Sequence, residues 1–109
     1  MPTLAVQIVR FVDDGQPGWV ECEFVDAVGV RHTLRDKVPI FSAEWLDADS
    51  AYPRPGSAGC EVLARWSDEH GRALARITTA RPRDIESRDG SSEFVVFARQ
   101  LGAAGGDGA

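Results

Sequence analysis

Hydrophobic and polar residues alternate along residues 19–37 in a pattern that predicts a β-hairpin. Asp26 and Gly29 mark the turn, because aspartate caps a type I turn and glycine accepts the left-handed backbone of a three-residue hairpin loop. This loop sets the register, and the expected pairs are Phe24 with His32, Cys22 with Leu34, Val20 with Asp36, Val25 with Arg31, Glu23 with Thr33, Glu21 with Arg35 and Trp19 with Lys37. The first three pairs form an apolar face. The other four form a solvent-facing side, on which Glu21 and Glu23 are expected to meet cations and polar groups across the strands.

The alternation of hydrophobic and polar residues and the turn residues also predict an N-terminal strand and a second hairpin. Residues 3–12 alternate well enough for a strand whose apolar face is formed by Leu4, Val6 and Ile8. Residues 60–66 and 72–80 enclose a second Asp-x-x-Gly turn, which predicts another hairpin. The expected contacts across this hairpin are Trp66 with Leu74 and Leu63 with Ile77.

The C-terminal part of the chain predicts one more long strand and a tail. Residues 93–98 are apolar enough to form a central strand, and Asp89 followed by Gly90 is a hairpin turn signal in front of them. Residues 85–87 are expected to form a short strand. The Gly/Ala-rich residues 102–109 have no side chains to pack, so we expect a disordered tail.

Residues 42–56 interrupt the alternation of the strands. Ser42 is a candidate N-cap, which predicts one or two helical turns over residues 43–48. Two prolines in residues 51–56 fix the backbone and predict a stiff, extended loop.

The resulting order is three strands, a short helix and further strands, which indicates an all-β fold. About six short strands separated by frequent turns are typical of a small antiparallel barrel or sandwich. The order of the first elements resembles that of an OB-like or Src-homology-like small barrel, and topology of this kind carries no function by itself. With 109 residues, the chain is expected to form one β-barrel domain over residues 1–101, followed by the tail.

Three short motifs resemble those of a group of small bacterial cytosolic proteins without an assigned function: RFVDD at 10–14, PGWVEC at 17–22 and YPRPG at 52–56. The resemblance implies no activity. Eleven arginines accompany a single lysine, and this bias is typical of a GC-rich bacterial genome.

The net charge of the chain disfavours two classes of binding partner. The formal net charge is −5, from 12 basic and 17 acidic residues, and it argues against nucleic acid or an anionic membrane as the main partner. No apolar run approaches the ~20 residues that a membrane span needs. The N-terminus lacks the order of a signal peptide, so we expect a cytoplasmic protein whose two cysteines are reduced.

The sequence contains no strong signal for catalysis or for a metal. Cys22 and His32 share the apolar face of the first hairpin, but a reactive thiolate needs access to solvent that a core position lacks. Cys60 and His70 lie at opposite ends of one predicted strand, roughly 20 Å apart or more at ~3.3 Å per residue, which is too far to share an ion. We therefore expect a protein that is not an enzyme, with no metal and no cofactor.

We therefore expect the protein to bind another protein of basic character. The sequence leaves the oligomeric state open. The candidate partner-binding residues on the long loop are Trp45, Asp47, Asp49, Tyr52 and Arg54. The alternative for Trp45 and Leu46 is that they close the end of the barrel. The alternative function is an OB-like nucleic-acid-binding domain that uses Arg76, Arg81 and Arg83.

Overall fold

A computed structural model describes residues 1–13, 15 and 18–103 and confirms the all-β fold. The described strands are β1 (Pro2–Asp13), β2 (Trp19–Val25), β3 (Arg31–Lys37), β4 (Arg54–Gly59), β5 (Glu61–Ser67), β6 (Ala73–Thr78), β7 (Glu93–Phe97) and β8 (Leu101–Ala103). A short helix, α1 (Val38–Phe41), lies between β3 and β4, and a 3₁₀ turn (Ala98–Gln100) precedes β8. No helix among the described residues has the length and apolar character needed to cross a membrane.

Two open antiparallel sheets share one hydrophobic core. The first sheet has the order β3-β2-β1-β4, with β8 added to the start of β1, and the second has the order β5-β6-β7. The first sheet contributes Leu4, Ile8, Cys22 and Leu34 to this core, and the second contributes Ile77 and Val96. This arrangement corresponds to the sandwich form of the expected fold. A single bridge between Leu34 and Ser87 links β3 to the segment that leads into β7.

Both predicted hairpins are present. The seven expected pairs between β2 and β3 are confirmed in the same register. The backbone N–H groups of Val28 and Val30 donate to Asp26 Oδ1 over 3.0 and 2.9 Å, and Gly29 has a φ of 90°. The second turn repeats this chemistry at Asp68, with Gly71 at a φ of 77°.

The second hairpin and the C-terminal strands differ from prediction in detail. Trp66 pairs with Leu74 as expected, but a bulge shifts the register so that Val62 instead of Leu63 pairs with Ile77. β7 lies at the edge of its sheet and not at the centre. Residues 85–87 contribute only the bridge at Ser87, and residues 102 and 103 belong to β8, so the tail prediction is wrong for them. Residues 104–109 lie outside the described part of the chain.

The helix occupies a different segment from the one predicted. Residues 43–48 are not helical, whereas Val38–Phe41 form α1 with Pro39 in its first turn. A proline fits there because its missing N–H has no partner in the first turn of a helix. Ser42 ends the helix, and its Oγ accepts a hydrogen bond from the N–H of Glu44 over 3.0 Å. The hydroxyl therefore shapes a turn and does not cap a following helix.

β4 begins inside residues 51–56, the segment that was expected to be a loop. Arg54–Gly59 pair along the outer side of β1, with Ile8 opposite Arg54. A proline is tolerated because β4 is an edge strand. Gly56 is required by close packing, because a Cβ atom there would lie 2.8 Å from the Ile8 side chain and 3.0 Å from the Phe41 carbonyl oxygen.

Candidate functional site

The Trp45 loop, defined as residues 42–53, connects α1 to β4 and is anchored in the core by Leu46, with Tyr52 partly buried against the same core. Leu46 is 3% exposed, whereas the side chain next to it in sequence, Trp45, is 69% exposed. The alternative in which Trp45 and Leu46 both close the end of the fold is therefore correct for Leu46, which packs into the core. It is wrong for Trp45, which is exposed. The loop therefore exposes the Trp45 indole to solvent next to the buried side chain of Leu46.

Hydrogen bonds within the Trp45 loop fix its shape. Asp47 is central, because its Oδ1 accepts the N–H of Asp49 over 2.9 Å and its N–H donates to Ser50 Oγ over 3.0 Å. Tyr52 Oη donates to the carbonyl oxygen of Asp47 over 2.7 Å. The predicted residues Asp47 and Tyr52 thus meet each other and hold the loop together.

The other predicted residues of this region differ in their surroundings. Arg54, the first residue of β4, is partly buried and forms an ion pair with Glu44. Asp49 is exposed, and its backbone N–H is bound to Asp47. Among the predicted partner-binding residues, Trp45 and Asp49 are the two whose exposed side chains form no hydrogen bond or ion pair within the described part of the chain.

The three arginines of the alternative function lie on the second sheet and on the turn after β6. Arg76 contacts Glu93 with an N–O distance of 3.1 Å, and Arg81 contacts Glu61 over 2.8 Å. The hydrogen bond from Arg81 lowers the pKa of Glu61. Arg83 is exposed. Two of the three positive charges are therefore balanced by neighbouring carboxylates.

The two candidate side chains for cysteine chemistry do not form a pair. Burial raises the pKa of Cys22 to about 12, with the charge of neighbouring Glu21 adding to the effect. His32 instead contacts Asp26, with 2.8 Å between Nε2 and Oδ2, and its ring packs against Phe94 with 4.7 Å between centroids. In the described residues, no three His, Cys, Asp or Glu side chains converge in a way that could hold a metal ion.

Glu21 lies in a different environment from the one that the strand pattern predicts. It was expected to face solvent, but its side chain is 2% exposed. Three guanidinium groups surround its carboxylate: Arg10 Nε at 2.9 Å, Arg35 Nη2 at 3.2 Å and Arg88 Nη2 at 2.7 Å. The Arg35 contact was predicted from the hairpin register, and the other two were not.

Two structural features bring Arg10 and Arg88 to this carboxylate. The register of β1 against β2 shifts between Ile8 and Arg10, and this irregularity sets Arg10 directly opposite Glu21. Arg88 lies in the segment between β6 and β7. The backbone N–H of Arg88 donates to the Thr33 carbonyl oxygen over 2.8 Å and holds this segment against β3. The pattern of a single strand carries no signal for a contact across 67 residues of sequence.

A groove of about 550 Å³ opens beside this carboxylate, and we refer to it as the Glu21 groove. Its lining includes Trp19, Glu21, Arg35, Asp84, Glu86 and Arg88. Asp84 has a φ of 54° and is the one non-glycine residue with a positive φ in the described part of the chain. Residues in this sparsely populated region concentrate at functional sites, and aspartate is among the types that adopt it most readily.

The chain offers two candidate sites, the Trp45 loop and the Glu21 groove, and comparison with known proteins does not choose between them. No protein-family model, no curated protein and no solved structure matches the chain, so its function has to be inferred from its own side chains.

Proposed function

We propose that this protein is a non-enzymatic interaction module that binds another protein through the Trp45 loop. The single observation that carries the proposal is the 69% exposure of Trp45 beside the buried anchor Leu46. Tryptophan is enriched among the few residues that dominate binding energy at protein interfaces. A regulator, an immunity-type inhibitor and an adaptor subunit of the bacterial cytoplasm are the roles that such a module would fill.

The internal hydrogen bonds of the Trp45 loop support this function. A loop that is already ordered loses little conformational entropy when it binds, so more of the contact energy remains as affinity. Asp47 and Tyr52 supply that order. We therefore assign them a positioning role, and we assign the contact itself to Trp45 and Asp49.

The expected partner surface is basic. Asp47 and Asp49 are exposed near Trp45, and the formal charge of the whole chain is −5. Charges of one sign at the edge of an interface mainly accelerate association with a partner of opposite sign.

The nucleic-acid alternative stays a prediction. Its arginines Arg76 and Arg81 already contact carboxylates, which reduces the charge that they offer to phosphates. A dissociation constant below about 1 μM for labelled single-stranded DNA or RNA at physiological salt, lost on Arg81→Ala, would favour this alternative over protein binding.

The test begins with capture of a partner by the full chain and its identification by mass spectrometry. Binding of the purified partner is then compared for wild type, Trp45→Ala, Asp49→Lys and the control Trp66→Ala, whose indole is 41% exposed on β5. Trp45→Ala is expected to weaken binding about 30-fold, which corresponds to a hot-spot contribution of about 2 kcal/mol. Asp49→Lys is expected to slow association several-fold at low salt and to approach wild type at high salt.

Asp47 is left unchanged in this series because its substitution would disturb the loop itself. If Trp45→Ala folds normally and binds the partner as tightly as wild type and Trp66→Ala do, the contact lies elsewhere and the proposal fails.

A further inference from the structure

The Glu21 carboxylate is surrounded by more positive charge than it can balance. The three guanidinium groups around Glu21 carry three positive charges against one negative charge. The side chains of Arg35 and Arg88 are 56% and 69% exposed, so most of their nitrogen atoms remain accessible. A guanidinium has five N–H donors, and each of these arginines donates one hydrogen bond to Glu21, from its Nη2. Arg35 and Arg88 therefore have N–H donors and positive charge that Glu21 does not use.

Negative charge is also left over in the same groove. Asp36, Asp84 and Glu86 line it, and none of the three forms an ion pair with a cation of the described residues. Asp84 is held in place by a backbone with positive φ. The lining of the groove thus includes unpaired carboxylates and partly free guanidinium groups, and no ion pair joins the two sets.

The presence of both kinds of charge in one groove selects the kind of ligand. A simple anion would meet Arg35 and Arg88 but would be repelled by Asp84 and Glu86, and a simple cation would meet the opposite problem. A ligand with charges of both signs satisfies both sets. The volume of about 550 Å³ suits a small molecule, since ligand pockets span about 300–1,000 Å³.

We propose that the Glu21 groove binds a small amino carboxylate, with its carboxylate on Arg35 and Arg88 and its ammonium group on Asp84 and Glu86. Glu21 is a positioning residue that holds the guanidinium groups, and Trp19 offers an apolar surface to the body of the ligand. This site is independent of the Trp45 loop, so it stands whether or not the protein-binding proposal does.

The test is an NMR titration of the full chain in low salt with a series of amino carboxylates of increasing length: glycine, β-alanine, γ-aminobutyrate and ε-aminocaproate. Butyrate and butylamine serve as probes with one charge only. At least one amino carboxylate is expected to shift the Trp19 indole resonance and leave that of Trp45 in place. Its affinity is expected to be at least about tenfold higher than that of either single-charge probe, because it gains a second charge-assisted contact.

Two variants test the two ends of the ligand separately. Glu86→Gln removes an exposed carboxylate that forms no ion pair within the described residues. It is expected to weaken the best amino carboxylate about tenfold and to leave butyrate binding as tight as in wild type or tighter, because a carboxylate that repels anions is lost. Arg88→Ala is expected to weaken both that ligand and butyrate. Arg76→Ala, which removes an arginine with a 47% exposed side chain from the other sheet, is the control and should leave both affinities unchanged.

The proposal is overturned if no member of the series binds more tightly than its single-charge relatives. It is also overturned if Glu86→Gln binds the best amino carboxylate as wild type does. Neither result bears on Trp45, so failure here and failure of the proposed function are distinguishable.

Discussion

Substitution of Glu21 by Gln is the sharpest test of the three-arginine cluster. Gln keeps the size of the side chain and removes its charge, so Arg10, Arg35 and Arg88 would converge on a neutral amide. The amide oxygen can accept from one guanidinium, but its NH₂ group faces another and repels it. The three cations then repel one another without a shared anion, and the folded state loses stability.

The magnitude follows from the exposure of the arginines. A hydrogen bond to a charged group contributes about 1.5–3 kcal/mol when both partners are buried. The arginine side chains here are 56–69% exposed, so water replaces part of each contact and about 0.5–1 kcal/mol for each is appropriate. Three contacts give a loss of about 1.5–3 kcal/mol, or about 6–12 °C in Tm for a domain of this size.

Thermal and urea unfolding of wild type, Glu21→Gln and Glu23→Gln would measure this loss. Glu23 is the matched control, because it lies on the same strand and the same face, and its one ion pair within the described residues is with Arg31, over 2.8 Å. Its substitution is expected to lower stability by less than about 1 kcal/mol. Equal losses for Glu21→Gln and Glu23→Gln would refute a special role of the cluster.

Three further predictions concern the first hairpin and the cysteines. Gly29→Val should lower the unfolding free energy by about 1–2 kcal/mol through backbone strain alone, because its φ is 90° and a Cβ meets no atom within 4 Å; unchanged urea curves would contradict this. Burial raises the pKa of Asp26, but hydrogen bonds from His32 and two backbone N–H groups outweigh it, so the pKa lies below its ordinary value of 3.8. The stability that wild type gains over Asp26→Asn should therefore be complete above about pH 5 and shrink as pH falls through the folded pKa, and a pH-independent difference in urea unfolding would be inconsistent with it. Cys22 and Cys60 are buried with raised pKa values, so a thiol reagent at about pH 8 should label neither in the native protein within minutes and both in denaturant; fast labelling of the native protein would show an accessible thiolate.

The parts of the fold that sequence predicted well are those encoded by neighbouring residues. Asp26 and Gly29 define a loop of known length, and once the loop is set the pairing of β2 with β3 has no freedom left. The same reasoning located the second turn, but the bulge near Leu63 shifted the pairing beyond it. A bulge inserts one residue without a local signature, so every contact on its far side moves.

The errors arise where distant segments decide the outcome. Pro55 and Gly56 are poor strand residues, yet they form β4 because the edge of β1 is available and Gly56 lets Ile8 and Phe41 approach closely. The hydroxyl of Ser42 was equally suited to a helix cap and to the turn that it forms.

Of the two candidate sites, the one formed by neighbouring residues was predicted and the one formed by distant segments was not. The Trp45 loop was predicted because it interrupts the alternation of the strands, although only the structure separates the buried Leu46 from the exposed Trp45. The Glu21 groove was missed because its arginines come from β1, β3 and the segment before β7, and the burial of Glu21 depends on all three. An acidic residue on the outer side of a strand is ordinarily exposed.

Photocrosslinking at position 45 tests the central claim most directly, namely that the Trp45 loop is the surface that binds a protein. Trp45 is replaced by p-benzoylphenylalanine in the full chain, and Trp66 is replaced in the same way in a matched control. Illumination in living cells is predicted to give one covalent adduct with a basic protein from position 45 and none from position 66, and the adduct is predicted to decrease when Asp49→Lys is added. Equal adducts from both positions, or no adduct from position 45, would contradict the claim.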